Sequence, residues 1–398
     1  MKKILTKKLL TVVTATIIAV TFIPTFAYAT EDTVLDETSN SDMEREVNLV
    51  SNDATEIMES RIDKNEINGK IKKMKSGEYY VDGKDMDVLL PARSDDGISI
   101  ETEAGVIVME LPNKTNYANG VLSDNGTVIY DPNNGDVAFG VQALAEEKDN
   151  EHWEALRVLV EIATADAGKE FVYKYTLPEG CKLIKAEAWY KSFILPNLGK
   201  DANRDDYYTP GEIYIIDSKG NVMETIDPAW AYDACGTSIP TYYKIRGTEL
   251  VQIVDFNKKT VFPIVADPTN HPVKYTTVTL NESAVKKLRD KAKSTNALVS
   301  MIKTTAGGAV SITGYLAASF AERAAALLGG AGTAWAMIDI SNAVYEYVQY
   351  STWNKVYNKL HNNANYNYVK IKYRWKWHGG HKSYYPAGKE TLGYYKNK

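Results

Sequence analysis

Cysteine is nearly absent: the 398 residues hold only Cys181 and Cys235. At most one disulfide is therefore available. In an oxidising exterior the two can pair; otherwise they are free thiols, because sequence alone does not place their Cα atoms within bonding range. Histidine is also scarce, with His152, His271, His361, His378 and His381. No H-E-x-x-H, G-x-S-x-G or phosphate-binding glycine loop occurs, so zinc proteases, nucleophile-elbow hydrolases and P-loop enzymes lack their motifs. His378-Gly379-Gly380-His381 offers two metal ligands without an evident third, and it reads as a surface turn. No acid/base pair stands out, so the expectation is a protein that is not an enzyme. After the N-terminus no apolar run is long enough for a confident membrane span, which takes about 20 residues. The two candidates are 304–321, with 18 uncharged residues, and 324–338, with 15, and the Glu322-Arg323 pair splits them.

What is present begins with a targeting signal. Lys2, Lys3, Lys7 and Lys8 precede an apolar run from Leu9 to Phe26. Ala27-Tyr28-Ala29 then supplies the small residues Ala27 and Ala29 of a signal-peptidase site. Segment 1–29 is accordingly read as a signal peptide, removed on secretion to the extracellular space.

Charge divides the remainder. From Thr30 to Asn270, 24 Lys and Arg stand against 45 Asp and Glu, a balance of −21. From His271 to Lys398, 18 stand against 6, a balance of +12. A cationic half favours anionic partners, either membrane lipids or cell-wall polymers, and an acidic half on the same chain can mask it. Secretion argues against a nucleic-acid partner.

Segment 30–78 opens acidic and free of aromatics, a partly disordered leader. Segment 79–268 reads as an antiparallel β-sandwich-like domain. Ile98–Thr102, Val106–Leu111, Leu156–Val160, Phe171–Tyr175, Ile213–Ile216, Tyr242–Ile245 and Leu250–Val254 are strand-like. Turns such as Asp124-Asn125-Gly126 and Ser218-Lys219-Gly220-Asn221 separate them. No helix-length periods alternate with these strands, which argues against a parallel α/β sheet. Asp267-Pro268 and His271-Pro272 suggest a domain boundary. Segment 271–360 then reads as helical, capped by Asn281 or Ser283. It carries a Gly/Ala-rich hydrophobic hairpin whose arms, Thr304–Leu328 and Thr333–Tyr350, meet at Gly329–Gly332. Segment 361–398 is a cationic aromatic tail with a terminal amphipathic strand. There Val369, Ile371, Tyr373, Trp375 and Trp377 alternate with Lys370, Lys372, Arg374 and Lys376. The predicted class is thus α+β and multidomain.

Two sets of site residues follow. Asp201, Asn203, Asp205 and Glu212 occupy positions 1, 3, 5 and 12 of a calcium-loop pattern, although Asp206 stands where the turn favours Gly; calcium is the one candidate cofactor. Phe320, Leu327, Leu328 and Trp335 in the hairpin, with Lys370, Lys372, Arg374, Trp375, Lys376 and Trp377 in the tail, are the candidates for membrane contact.

Ile226-Asp227-Pro228-Ala229-Trp230-Ala231-Tyr232-Asp233, then Pro240-Thr241-Tyr242-Tyr243, Gly247, Leu250 and Phe262-Pro263-Ile264-Val265-Ala266-Asp267-Pro268, form a block. The block resembles one in secreted proteins of Gram-positive bacteria. It is similar to precursors of large, unmodified bacteriocins of the geobacillin and closticin kind. That resemblance implies a signal peptide, a long N-terminal region and antibacterial activity in the C-terminal part, with an immunity protein as a further partner. The alternative expectation is a non-toxic secreted protein whose β domain binds the cell surface or wall.

Overall fold

A computed structural model describes residues 58, 67–68, 71–112, 117–132, 136–148, 151–195, 205, 207–290, 350–380 and 382–396. It is mostly antiparallel β-sheet. The expected signal segment with Ala27 and Ala29, Asp201, Asn203, and Phe320, Leu327, Leu328 and Trp335 of the expected hairpin lie outside the described residues.

Two sheets form a sandwich-like body. The eight-stranded sheet runs, in spatial order, Thr241–Arg246, Glu249–Val254, Glu170–Thr176, Gly105–Glu110, Ile98–Thr102, Met86–Leu90, Tyr79–Asp82 and Lys72–Lys73. The main path of the eleven-stranded sheet runs Lys182–Lys185, Ile213–Ile216, Val222–Ile226, Thr269–Pro272, Glu151–Ile162, Val137–Lys148, Thr127–Tyr130 and Gly120–Leu122. Alternation sends one face of each sheet inward. Val88, Ile100, Met109, Tyr173 and Leu250 from the first sheet and Val128, Phe139, Val158 and Ile215 from the second share a single buried cluster. Each such side chain contributes roughly 1.5–3 kcal/mol of burial. All seven strands anticipated from β-branched and aromatic content are present.

Turn chemistry positions one corner of the body. Between Ile213–Ile216 and Val222–Ile226, the Asp217 carboxylate accepts from the Lys219 and Asn221 amides, each at 2.8 Å. Gly220 there has φ +82°, and a Cβ would fall 2.3 Å from the Phe193 ring. Its carbonyl accepts from Trp189 Nε1 at 2.8 Å, anchoring the short helix Ala186–Trp189 over this sheet.

Three expectations change. The described part of the acidic leader belongs to the body: Ile67–Asn68 pairs with Leu144 and Ala145, and Met58 is fully buried with Ile129, Ala138, Leu159 and Val265. The expected boundary at 268–271 falls within the sheet, because Thr269–Pro272 pairs with both Val222–Ile226 and Glu151–Ile162. Pro268 and Pro272 fit because one stands just before the strand and the other is its last residue, and the Pro268 carbonyl still accepts from Val158 N at 2.9 Å. The tail is not a terminal strand on its own. Tyr368–His378 is the centre of a third antiparallel sheet, flanked by Lys274–Asn281 and Ser383–Tyr395. Segments 271–360 and 361–398 therefore contribute to one module.

That module has its own core. Residues 282–290 are helical, and Asn281 Oδ1 caps them by accepting from Ala284 N at 2.8 Å. In the helix Tyr350–His361, Trp353, Val356 and Leu360 recur on one face and pack against Val369, Ile371, Trp375 and Trp377. The Arg289 guanidinium lies 4.0 Å from the centroid of the Tyr357 ring, joining the two helical segments.

Candidate functional site

The polar chemistry of the molecule concentrates where the terminal sheet meets the body. Glu212 immediately precedes the strand Ile213–Ile216, so it shares a face with Tyr214 two residues on. Its carboxylate is buried, 1% exposed, and accepts from three donors. These are Thr209 N at 3.0 Å, the Tyr214 hydroxyl at 2.7 Å and Gly379 N at 2.8 Å. Gly379 lies at the tip joining Tyr368–His378 to Ser383–Tyr395. Next to it, Gly380 N donates to Thr209 Oγ1 at 2.8 Å.

Lys376 is buried beneath the same carboxylate, also 1% exposed, and donates to the Tyr214 hydroxyl at 2.9 Å. Its ammonium lies 4.8 Å from the Tyr214 ring centroid and 5.7 Å from that of Trp189. Burial pushes Lys376 down to about 8, opposed by the charge of Glu212. His378 uses both ring nitrogens: Nε2 donates to the Asp205 carbonyl at 3.0 Å, which leaves Nδ1 to accept from Thr209 Oγ1 at 3.3 Å.

On the neighbouring strands, Asp227 Oδ2 lies 3.1 Å from His271 Nε2. The His271 ring stacks on Trp377, with centroids 4.2 Å apart at 13°, and Trp153 tilts against both. His271 Nδ1 and Asp227 Oδ1 are buried without a hydrogen-bond partner. No hydroxyl or thiol completes a nucleophilic triad here, since among the described residues Asp227 is the only hydrogen-bond partner of the His271 imidazole.

Two more ion pairs join body and module. Lys274 Nζ lies 3.6 Å from Asp85 Oδ2, and Lys372 pairs with Glu103. Burial pushes Lys274 below its ordinary value, opposed by Asp85. Glu154 fixes the Asp85 turn by accepting from the Lys84, Asp85 and Met86 amides at 2.6, 2.8 and 3.1 Å.

The sequence candidates are redistributed accordingly. Both Glu212 oxygens accept from the chain's own donors, and two of its expected calcium partners, Asp201 and Asn203, lie outside the described residues. Asp205 serves through its backbone carbonyl, and among the described residues no cluster of metal-ligating side chains occurs. Trp375 and Trp377 are 6% and 3% exposed inside the module, and Lys376 is buried, so these three do not present themselves to a membrane. Lys370, Lys372 and Arg374 remain partly exposed. Cys181 and Cys235 are unpaired: Cys181 Sγ sits 3.2 Å from Met223 Sδ, and Cys235 is exposed in the turn that Asp233 organises. Among the described residues, no helix is long and apolar enough to cross a membrane.

Sequence reasoning missed His271, Trp153, Trp189, Asp85 and Glu103. Asp227 stands inside the Ile226–Pro268 block, so a signal for it existed. The block also holds Asp267, whose carboxylate accepts from Trp230 N at 3.2 Å and Thr269 Oγ1 at 2.7 Å, while Tyr243 donates to its carbonyl at 3.1 Å. No family model, curated protein or solved structure matches the chain.

Proposed function

We propose that the chain is a secreted, bacteriocin-like precursor in which the acidic β body holds a cationic, hydrophobic C-terminal module that acts on bacterial membranes. One observation carries this reading: Lys274, Lys372 and Lys376 of the module each face a body carboxylate, Asp85, Glu103 and Glu212 respectively. The charge asymmetry of the sequence is thus matched by contacts between its two halves. The apolar residues placed between 304 and 350 are the membrane-directed part in this proposal. The module is held while the body is intact, and proteolysis or contact with a target frees it. Dye release from anionic vesicles tests this, using the full chain with and without limited proteolysis, and an Asp85→Asn/Glu103→Gln variant. Release is expected to increase in the variant and after proteolysis; no release under any of these conditions refutes the proposal. A fragment beginning at Asn270 is a poor reagent, because it removes a central strand from the body.

A second reading, a non-toxic wall-binding protein, draws on a different feature. The body has a cleft of about 350 Å³ lined in part by Ser94, Asp95, Glu110, Tyr117, Lys174 and Glu249, with Tyr117 58% exposed. Sedimentation with purified cell walls, compared between the full chain and Tyr117→Ala, separates the two readings.

A further inference from the structure

The sheet face that buries Lys376 against the body continues with Lys370, Lys372 and Arg374, which stay partly exposed although Lys372 pairs with Glu103 of the body. Lys370, Lys372 and Arg374 alternate with the buried Val369, Ile371 and Trp375, so they share one face at successive steps of roughly 7 Å. Thr279, Thr277 and Tyr275 stand opposite them on one neighbouring strand, and Gly393, Glu390 and Gly388 on the other. The two glycines leave the flanks of Lys370 and Arg374 without a side chain on that strand.

Aromatic rings fix the cations in place. Lys372 Nζ lies 4.1 Å from the Tyr275 ring centroid, and Arg374 Nε donates to the Tyr275 hydroxyl at 3.4 Å. Lys370 Nζ lies 5.0 Å from the ring of Tyr395, which is 39% exposed. Such contacts lower the ordering cost of long side chains before any ligand arrives. Three carboxylates oppose the row: Glu103 from the body pairs with Lys372, Asp217 from the body acts on Arg374, and Glu390 stands opposite Lys372 in register.

We propose that Lys370, Lys372 and Arg374 form a docking track for a linear phosphodiester polymer of the bacterial wall, of the poly(glycerol phosphate) type. Glu103 occupies the place of one phosphate in the free protein. The inference rests on the reading that the module works at a bacterial surface, and it names the surface component. A three-carbon polyol between phosphates repeats at a distance comparable to two strand residues. Successive anions can therefore meet successive cations without bending either chain. A lipid surface offers no such fixed linear repeat.

Isothermal titration of the full chain with soluble poly(glycerol phosphate), with no membrane present, tests the track independently of any effect on vesicles. Binding is expected, weakened roughly tenfold in Lys370→Gln/Lys372→Gln. Glu103→Gln should tighten it about threefold, the size of a released exposed ion pair. Lys359→Gln removes a charge outside the track, over Tyr394, and should leave affinity within about twofold. The proposal is overturned by absence of binding, or by equal affinity in the double variant. Equal affinity for a single-stranded oligonucleotide of matched charge, or equal competition by polymer-free anionic vesicles, would also overturn it. Unchanged circular dichroism spectra of the variants establish that affinity, not folding, is being read.

Discussion

Lys376 and Glu212 are joined through one hydroxyl: the Tyr214 oxygen accepts from Lys376 Nζ at 2.9 Å and donates to Glu212 Oε2 at 2.7 Å. Removing one member of a buried charge set strands the other, at about 3–5 kcal/mol. Glu212→Gln, which leaves the Lys376 ammonium buried and replaces an acceptor of Gly379 N or of Tyr214, should cost about that much in denaturant unfolding. Lys376→Met keeps the three donors of Glu212 and fills the Trp189/Tyr214 cage, so it should cost less. The double variant should lose less than the two singles summed, a direct measure of the coupling.

Stability should fall as pH rises from about 4.5 to about 8, because Glu224 is held up to about 8 by burial, with Asn270 as a weaker opposing influence. In this window the folded chain keeps a proton that the unfolded chain has released, so alkali favours unfolding. Asp267, pushed up to about 7 by burial, acts in the same direction. Glu224→Gln should flatten the unfolding midpoint across this range and raise stability at its upper end, by on the order of several kcal/mol. A midpoint that rises with pH in the unsubstituted protein would contradict the assignment.

Gly379 threads its backbone between two carboxylates. A Cβ there would lie 2.8 Å from Asp227 Oδ1 and 3.3 Å from Glu212 Oε1. Gly379→Ala should therefore loosen the tip from the body, at about 1–3 kcal/mol. Faster tryptic cleavage after Lys382, with the body's unfolding transition retained, would register this.

Both thiols should be titratable without reductant. Denatured, unreduced protein is expected to take up two maleimide groups, whereas a Cys181–Cys235 bond would give none. In the native state exposed Cys235 should react first. Cys181 is half-buried, and its thiol is pushed up by burial and by Asp217.

The body was legible because its strands carry their own signals. Ile213–Ile216 and Glu249–Val254 are β-branched runs, and Asp217 and Gly220 mark the turn after the first of them. Thr269–Pro272 was not legible, since two prolines in five residues resemble a linker until the neighbouring strands are known. The tail's alternation identified the buried face through Trp375 and Trp377, but it did not distinguish Lys376 from Lys370. Both stand on the face opposite the tryptophans. Only the position of Trp189 and Tyr214, more than 160 residues away in sequence, buries one and leaves the other partly exposed. The site eluded local reading for the same reason: Glu212 looked like a loop ligand because its partner Gly379 is remote.

Val273 alone separates the body strand Thr269–Pro272 from Lys274–Asn281, and the partner of that second strand begins at Tyr368. A chain emerging from its N-terminus can complete the body long before the third sheet has its middle strand. Until then Lys274–Asn281 is an open edge tethered one residue from finished structure, with its partner strand still far along the chain. The cationic sheet can close only after every strand of the body has been made, and until then its first strand offers an unpaired edge to whatever meets it.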